Sequence, residues 1–420
     1  MGSPAAGGRS MSNSPSELRW RNRTNLLRHL HLHGPATRAT LTTHLRLNRS
    51  TIKALVDELA TDGLVVERLP DGRERPGRPS PLVIPQPDAL VVLSVDIRVD
   101  EVVVGLMGIN GRVFTRRRWD LRSGWPVEHV LVDIAEYARL LIGESTRPIC
   151  GVGVAVPGIV RLDDGIVHDA PNLHWNDVAL REWFENELRL PVDLGNDAEL
   201  GALAESTRGV ARGAHDVAYV FVDVGVGGGV ISRGASLLGT RSHVGEFGHM
   251  VVRTGGRECY CGCEGCWETE IGRAALARAL NLPENCGREE VAAGMRALLQ
   301  EPVAVRRALG EVTEWLAVGV CNLVNLLGSD LVVLGGLLAE LPAEVVALVE
   351  ETVQRRSIVS RAVCGVRVEQ SSLGQDGPLV GAAEMAFQRA LSAPRAAFAG
   401  TKRRNPAASL HVESSPVRSR

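Results

Sequence analysis

Two groups of residues in this 420-residue chain carry types and spacings suited to chemistry. The first is His249 with Cys259, Cys261, Cys263 and Cys266. Thiolates and an imidazole brought together suit tetrahedral Zn²⁺, which takes four N or S ligands and does no redox chemistry. Four ligands are needed and five are present. Gly262 and Gly265 let the loop turn tightly enough for thiolates to converge, and spacing alone leaves open which cysteine is spare. A site closed by four protein ligands keeps no water for hydrolysis, so the expected role is structural. The second group is Arg49, Ser50, Thr51 and Lys53, with Arg73, Arg75 and Arg78 further on. These are hydrogen-bond donors of the kind that reach base edges and phosphates.

The elements around the second group explain that reading. Leu26, Leu27 and Leu30 predict a helix from Arg21, ended by Gly34-Pro35. Thr37 caps a short second helix holding Leu41 and Leu45. A third helix runs from Arg49 to about Asp62, with Asn48 as N-cap, Gly63 past its end and Ile52, Leu55, Val56 and Leu59 at i, i+3, i+4, i+7. A hairpin of Leu64 to Arg68 and Pro81 to Ile84, joined by a loop rich in Pro, Gly and Arg, completes a winged helix-turn-helix over residues 18–86. The off-stripe side chains Arg49, Ser50, Thr51, Lys53 and Ala54 then face a major groove. The wing arginines, held by Pro76 and Pro79, would enter a minor groove or grip phosphates.

Charge agrees with this division. Residues 1–90 hold 13 basic and 8 acidic side chains, 91–392 hold 28 and 40, and 393–420 hold 6 and 1, so basic ends flank an acidic middle. Arg and Lys gain from counterion release at phosphates, so a polyanion is expected at the first 90 residues. No apolar run approaches the roughly 20 residues of a membrane span, and the amino terminus lacks the apolar stretch of a secretory signal. A cytoplasmic location follows, in which cysteines are thiols or metal ligands. Residues 1–17 and the Ala-, Pro-, Ser- and Arg-rich tail 393–420 are expected to be disordered.

From about residue 90 the pattern changes to strands. Val91 to Asp96, Glu101 to Met107 and Arg112 to Trp119 predict a meander, followed by a helix over Val127 to Ile142 and a buried strand Cys150 to Val156. A second start, Val217 to Val222 and Val230 to Ser232 turned by Gly225 to Gly229, predicts a duplicated two-lobed α/β body with a cleft between the halves.

Several segments then coincide with one family. Cys259 to Glu268 reads CxCGxxGCxE, Gly245 to His249 reads GExGH, Asn196-Asp197-Ala198 reads NDA, and Ala170 to Trp175 and the pair Gly335-Gly336 fall where expected. The chain resembles the ROK family (repressor, open reading frame, kinase) in its form with an N-terminal winged helix, over residues about 20–392. The resemblance implies an actin-like (RNase H-like) ATPase-type body over 88–392, with lobes about 88–196 and 197–375 and a C-terminal helix 376–392, in a homodimer or tetramer. It implies that the metal ligands are His249, Cys259, Cys261 and Cys266, leaving Cys263 free, and that Asn196, Asp197, Glu246, His249 and Glu268 contact a sugar. Carboxylates can accept two vicinal hydroxyl donors at once, and Asn offers both a donor and an acceptor.

In the kinases of that family the residue at Asp197 would be the base that deprotonates the attacking sugar hydroxyl. Where those kinases read Asp-x-Gly-Gly-Thr, this chain has Asp96-Ile97-Arg98-Val99-Asp100, and where they read Gly-Thr-Gly it has Asp223-Val224-Gly225. Each loop loses its hydroxyl and gains a carboxylate. Two like charges about 4 Å apart repel by roughly 4 kcal/mol at an effective dielectric near 20, comparable with the whole binding energy of a weakly held nucleotide. Arg98 would offset one charge, and only Lys53 and Lys402 are lysines, so the body has no lysine to anchor phosphate. The expectation is a sugar-responsive transcriptional regulator, a repressor and not an enzyme, whose partners are a DNA operator and a small sugar and which has no membrane segment. The alternative is an ATP-dependent, glucokinase-like sugar kinase that also binds DNA.

Overall fold

The structure is a computed structural model and describes residues 14–69, 80–121, 124–237, 244–298, 302–362 and 365–392. The described residues begin with three helices, α1 (Pro15–His33), α2 (Arg38–Leu45) and α3 (Arg49–Thr61). Thr37 and Asn48 cap α2 and α3 as expected, their side chains accepting the Thr40 and Thr51 N–H groups. Arg46 ends α2 in the left-handed region at φ 53° and sets the turn into α3. The first helix starts earlier than its apolar residues suggest. Ser14 and Glu17 form a reciprocal capping box ahead of Pro15, so residues 15–17 are helical rather than disordered. Strands β1 (Ala36–Thr37), β2 (Val65–Arg68) and β3 (Leu82–Pro85) pair antiparallel in the order β1-β3-β2. The short β1 between the first two helices carries too few residues for any periodicity to show.

The first lobe holds a five-stranded sheet ordered β11-β7-β4-β5-β6. Its strands β4 (Val91–Ile97), β5 (Glu101–Gly108) and β6 (Val113–Asp120) form the antiparallel meander, and β7 (Ile149–Val156) and β11 (Val192–Asn196) add in parallel. Every residue of β4 is buried, which is why it reads as a continuous apolar run rather than an alternating one. Helices α4 (Val127–Glu144) and α5 (Leu180–Leu188) contribute Ile134, Ala138, Leu141, Leu180 and Phe184 to one face. A small sheet of β8 (Ile159–Arg161), β9 (Ile166–Ala170) and β10 (Trp175–Val178) hangs beside the cleft.

Helix α6 (Asp197–Arg208) leads into the second lobe, whose sheet is ordered β14-β13-β12-β15-β16. The strands are β12 (Val217–Val222), β13 (Val226–Ser232), β14 (Ala235–Ser236), β15 (Leu331–Gly336) and β16 (Arg367–Gln370). The order repeats that of the first lobe, an antiparallel meander followed by two parallel strands, so the expected duplication is present. The glycine run is not a long turn, however. Only residues 223–225 turn, while Gly227, Gly228 and Gly229 pair along β12 inside β13. A Cβ at Gly229 would come within 2.5 Å of the Ala202 side chain, so the glycines serve close packing of α6 on the sheet.

Helices α7 (Trp267–Ile271), α8 (Arg273–Ala279), α9 (Arg288–Leu298), α10 (Pro302–Leu327), α11 (Ala343–Arg356) and α12 (Ile358–Ala362) belong to the second lobe, where Trp267, Leu276, Met295, Leu316 and Val349 share one core. The last helix, α13 (Gly377–Ser392), crosses back to the first lobe. It lies directly on backbone there, because Gly153 and Gly381 leave no side chain between the Ala382 and Leu200 carbonyls and their neighbours. One apolar core then runs from Leu26, Leu30, Ile52 and Leu59 of the N-terminal module through Val92 and Met107 to Phe387 of α13. No helix among the described residues is long and apolar enough to cross a membrane.

Candidate functional site

The cleft between the lobes contains a pocket, and all five residues assigned to sugar contact, Asn196, Asp197, Glu246, His249 and Glu268, line it. They arrive from separate elements. Asn196 ends β11 and caps α6, its Oδ1 accepting the Ala198 and Glu199 N–H groups at 2.9 and 3.1 Å while its amide donates to the Gly158 carbonyl at 3.0 Å. Its acceptor is therefore committed to the helix, and one amide N–H remains for a ligand. Burial raises the Asp197 carboxyl to about 7, with Asp96 and Asp223 adding to the shift. Glu268 Oε2 accepts the Val226 N–H at 2.9 Å, and burial raises its carboxyl as well.

Three further lining residues were not singled out as contacts: Asn172, Glu199 and Tyr260. Glu199 stands two residues past Asp197 on the first turn of α6, and burial brings its carboxyl to about 7. Tyr260 lies between two of the motif cysteines. Its ring stands edge-on to His249, and its hydroxyl lies 3.0 Å from His249 Nε2. Position inside a matched motif was the available signal for Tyr260 and Asn172.

Beside this wall, His249, Cys259, Cys261 and Cys266 bring one ligand atom each to within 4.8 Å of one another. Cys261 Sγ and Cys266 Sγ are 3.6 Å apart, and Cys259 Sγ is 3.7 Å from His249 Nδ1. A tetrahedron with metal–sulfur bonds near 2.3 Å has edges of about 3.7 Å, so the four donors fit a single ion. Cys263 is outside the group. With Nδ1 turned to the metal position, Nε2 of His249 faces Tyr260 and the cleft. Gly265, at φ 72°, packs against the Arg253 carbonyl where a Cβ would collide, which allows the loop to close.

The opposite end of the cleft corrects the picture of bare repelling carboxylates. Arg98 Nε donates to Asp96 at 2.7 Å, its Nη1 to Glu101, and its Nη2 to the Gln375 carbonyl at 2.6 Å. From the second lobe, Arg288 donates through Nε to Asp223 Oδ1 at 3.0 Å and through Nη2 to Oδ2. Arg273 joins them, 3.0 Å from Asp100 and 3.9 Å from Asp223. Asp96, Asp100 and Asp223 are thus each paired with an arginine, Arg98 from the first lobe and Arg273 and Arg288 from the second. Side chains of both lobes fill that space, and the like-charge repulsion expected from the sequence is offset by these ion pairs. Asp96 is fully buried, and its desolvation raises its carboxyl against the pull of Arg98.

On the N-terminal module, Arg49, Ser50 and Lys53 are exposed on α3 and Thr51 is half-buried, while Ile52, Leu55, Val56 and Leu59 face inward. Lys53 Nζ holds Asp57 at 2.7 Å. Such an exposed pair is worth at most about 1 kcal/mol and yields readily to a phosphate. Arg73, Arg75 and Arg78 lie outside the described residues, as do 1–13 and 393–420.

Known proteins share this architecture. The xylose repressor of Caldicellulosiruptor bescii is 28% identical over 363 residues, covering 83% of this chain and 90% of that protein. A crystal structure of a ROK family transcriptional regulator, homolog of E. coli MLC protein, superposes with a TM-score of 0.71 over 91% of this chain and 98% of its own; at 20% identity it speaks for the fold alone. A ROK family glucokinase from Streptomyces griseus, solved with glucose and AMPPNP, gives a TM-score of 0.61 at 26% identity over 71% of this chain and 99% of its own. The family model described as ROK matches residues 92–389, which include both lobes, the cysteine loop and the carboxylate-lined cleft, and this chain belongs to the ROK family.

Proposed function

We propose that this chain is a sugar-responsive transcriptional repressor that binds an operator through residues 18–86 and an aldose in the body formed by 88–392. The observation that carries the reading is the asymmetry of the cleft. One end presents carboxyl, carboxamide, imidazole and phenol groups to solvent, whereas the other is filled by Arg98, Arg273 and Arg288 on their carboxylates. A neutral sugar needs only the first end, because its vicinal hydroxyls are matched by paired carboxylate oxygens. Asp197, Glu246 and Glu268 act as hydroxyl acceptors, Asn196 supplies its remaining N–H, and His249 and Tyr260 bound the wall.

Zn²⁺ fits the donor set of His249, Cys259, Cys261 and Cys266. When bound it supplies a rigid tetrahedral crosslink and no reaction chemistry. His249 then holds its imidazole at one orientation, so the segment carrying Glu246 and the segment carrying Glu268 keep their spacing.

For DNA, Arg49, Ser50, Thr51 and Lys53 face the major groove, with Arg73, Arg75 and Arg78 of the wing on the minor groove or phosphates. A homodimer places two such modules on a palindromic site. The 28% identical relative carries the name xylose repressor, which makes xylose the first sugar to test and release from DNA the expected sign. The effect would correspond to a coupling of about 1–3 kcal/mol.

The kinase reading has one observation in its favour: Asp197 is placed and tuned as a base would be, near 7. The test measures melting temperature with xylose, glucose, N-acetylglucosamine and ATP, followed by operator binding with any sugar that stabilises. At 100 times its dissociation constant a ligand adds about 2.7 kcal/mol. A sugar that stabilises the protein and releases operator, with no shift from ATP, supports the repressor. Sugar-dependent ADP release would put the kinase in its place.

A further inference from the structure

The two ends of α6 belong to two different places in the molecule. Its first turn, Asn196 to Glu199, lines the sugar pocket. Its last residue, Arg208, reaches the N-terminal module. There Arg208 donates through Nη1 to the His31 carbonyl at 2.7 Å and through Nε to Glu384 Oε1 at 2.8 Å. The second Glu384 oxygen lies 2.8 Å from His31 Nε2. The Asn110 N–H donates to His31 Nδ1 at 3.0 Å, which leaves Nε2 as the ring nitrogen facing Glu384, and Arg208 Nη2 lies 2.9 Å from that same Nε2. His31 and Glu384 are 2% and 1% exposed, and the His31 ring packs on Phe387 with centroids 4.7 Å apart. Helices α1, α6 and α13 and the β5–β6 turn therefore meet at one buried polar point.

The placement of α6 makes it able to transmit motion. An α-helix rises about 1.5 Å per residue, so these residues form a stiff rod of roughly 17 Å. One face of the rod lies on β13 of the second lobe, where Ala198 and Ala202 meet Gly227 and Gly229. The other lies on α13, which is bound to the first lobe, where Leu200 and Ala382 share a small apolar cluster. A change in lobe angle must then shift α6 against α13, and with it the grip of Arg208. Beyond the joint, α1 is tied to α3 by Arg19 on Glu58 and by Arg23 on Asp62 at 2.5 Å.

We infer that α6 carries the state of the sugar pocket to the DNA-binding module, with Arg208, Glu384 and His31 as its joint. Occupancy of the pocket reorders the Arg208 contacts, and α3 moves with α1. The inference rests on the sugar-sensor reading above. Spatial continuity by itself is not coupling; the physical requirement is that both sites bias the same element.

The test is amide hydrogen exchange on the full-length zinc-loaded protein, with and without xylose, glucose or N-acetylglucosamine, in wild type and in the double variant Arg208→Met/Glu384→Gln. The double variant removes both charges, so neither is left buried alone, and Gln can still accept from His31. In wild type a bound sugar should slow exchange at residues 196–200 and 246–249 and alter it at 26–34. In the double variant the pocket response should persist while the change at 26–34 falls at least fivefold. Arg208→Lys keeps the charge without the fork and should give an intermediate response; it decides the question if the double variant loses its zinc or its melting transition. Persistence of the full response at 26–34 in these variants, or protection of the wild-type pocket without any change at 26–34, overturns the joint. Absence of pocket protection by every sugar overturns the sensor reading itself, and the joint with it.

Discussion

Arg288, the first residue of α9, presents its guanidinium fork to both carboxylate oxygens of Asp223 in the turn between β12 and β13. The pair is largely buried. Removing only one partner leaves a charge in the interior. Arg288→Ala or Asp223→Ala should therefore lower unfolding free energy by about 3–5 kcal/mol, whereas replacing both by apolar residues of similar volume should cost little. Urea denaturation of the two single variants and the double variant checks this. Equal losses in all three would mean that the pair carries no desolvation penalty of this kind.

Asp197 and Glu199 both stand near 7 because burial disfavours their charged forms. In the unfolded chain they titrate near 4, so between about pH 4 and 7 the folded state binds more protons than the unfolded one. Stability of the ligand-free protein should fall as pH rises through this window and level off above it. Asp197→Asn with Glu199→Gln should flatten the profile of melting temperature between pH 5 and 8. If hydroxyls donate to these carboxylates, sugar binding favours the ionised form, and affinity measured calorimetrically should be higher at pH 8 than at pH 6.

Loss of zinc should act on the sugar pocket. Cys261→Ala should abolish stoichiometric metal and weaken sugar binding, because the crosslink that fixes the spacing of Glu246 and Glu268 is lost. Cys263→Ala, outside the ligand group, should retain one metal per chain by elemental analysis and bind sugar normally. Metal retained in full by Cys261→Ala would remove that residue from the ligand set.

Arg49→Ala and Lys53→Ala should weaken operator binding and leave sugar affinity unchanged, because these side chains face away from the module's core. A side chain that contacts phosphate lowers the slope of log K against log salt by about one when removed, whereas a base contact costs about 1–3 kcal/mol and relaxes specificity at one position. Fluorescence anisotropy over a salt series separates these outcomes. A parallel fall in sugar affinity would show that the modules are not separable.

Much of this protein was legible from local patterns. The caps Thr37 and Asn48, the apolar stripe of α3 and the strand Val91 to Asp96 depend on neighbours within a few residues, and periodicity and capping chemistry report such neighbours directly. The cysteine loop is also local, as three of its four ligand atoms lie within eight residues of chain, from Cys259 to Cys266. Tertiary structure decided what those patterns do not carry. Arg288 answers Asp223 from 65 residues away, and Arg208 answers Glu384 from 176. Asn196 turned out to hold a helix cap as well as a pocket wall. An isolated Asp or Arg in a sequence has no period or spacing that names its partner. The partner is set only when two sheets and the helices between them pack, and the cost of burying an unpaired charge then selects which arginine faces which acid.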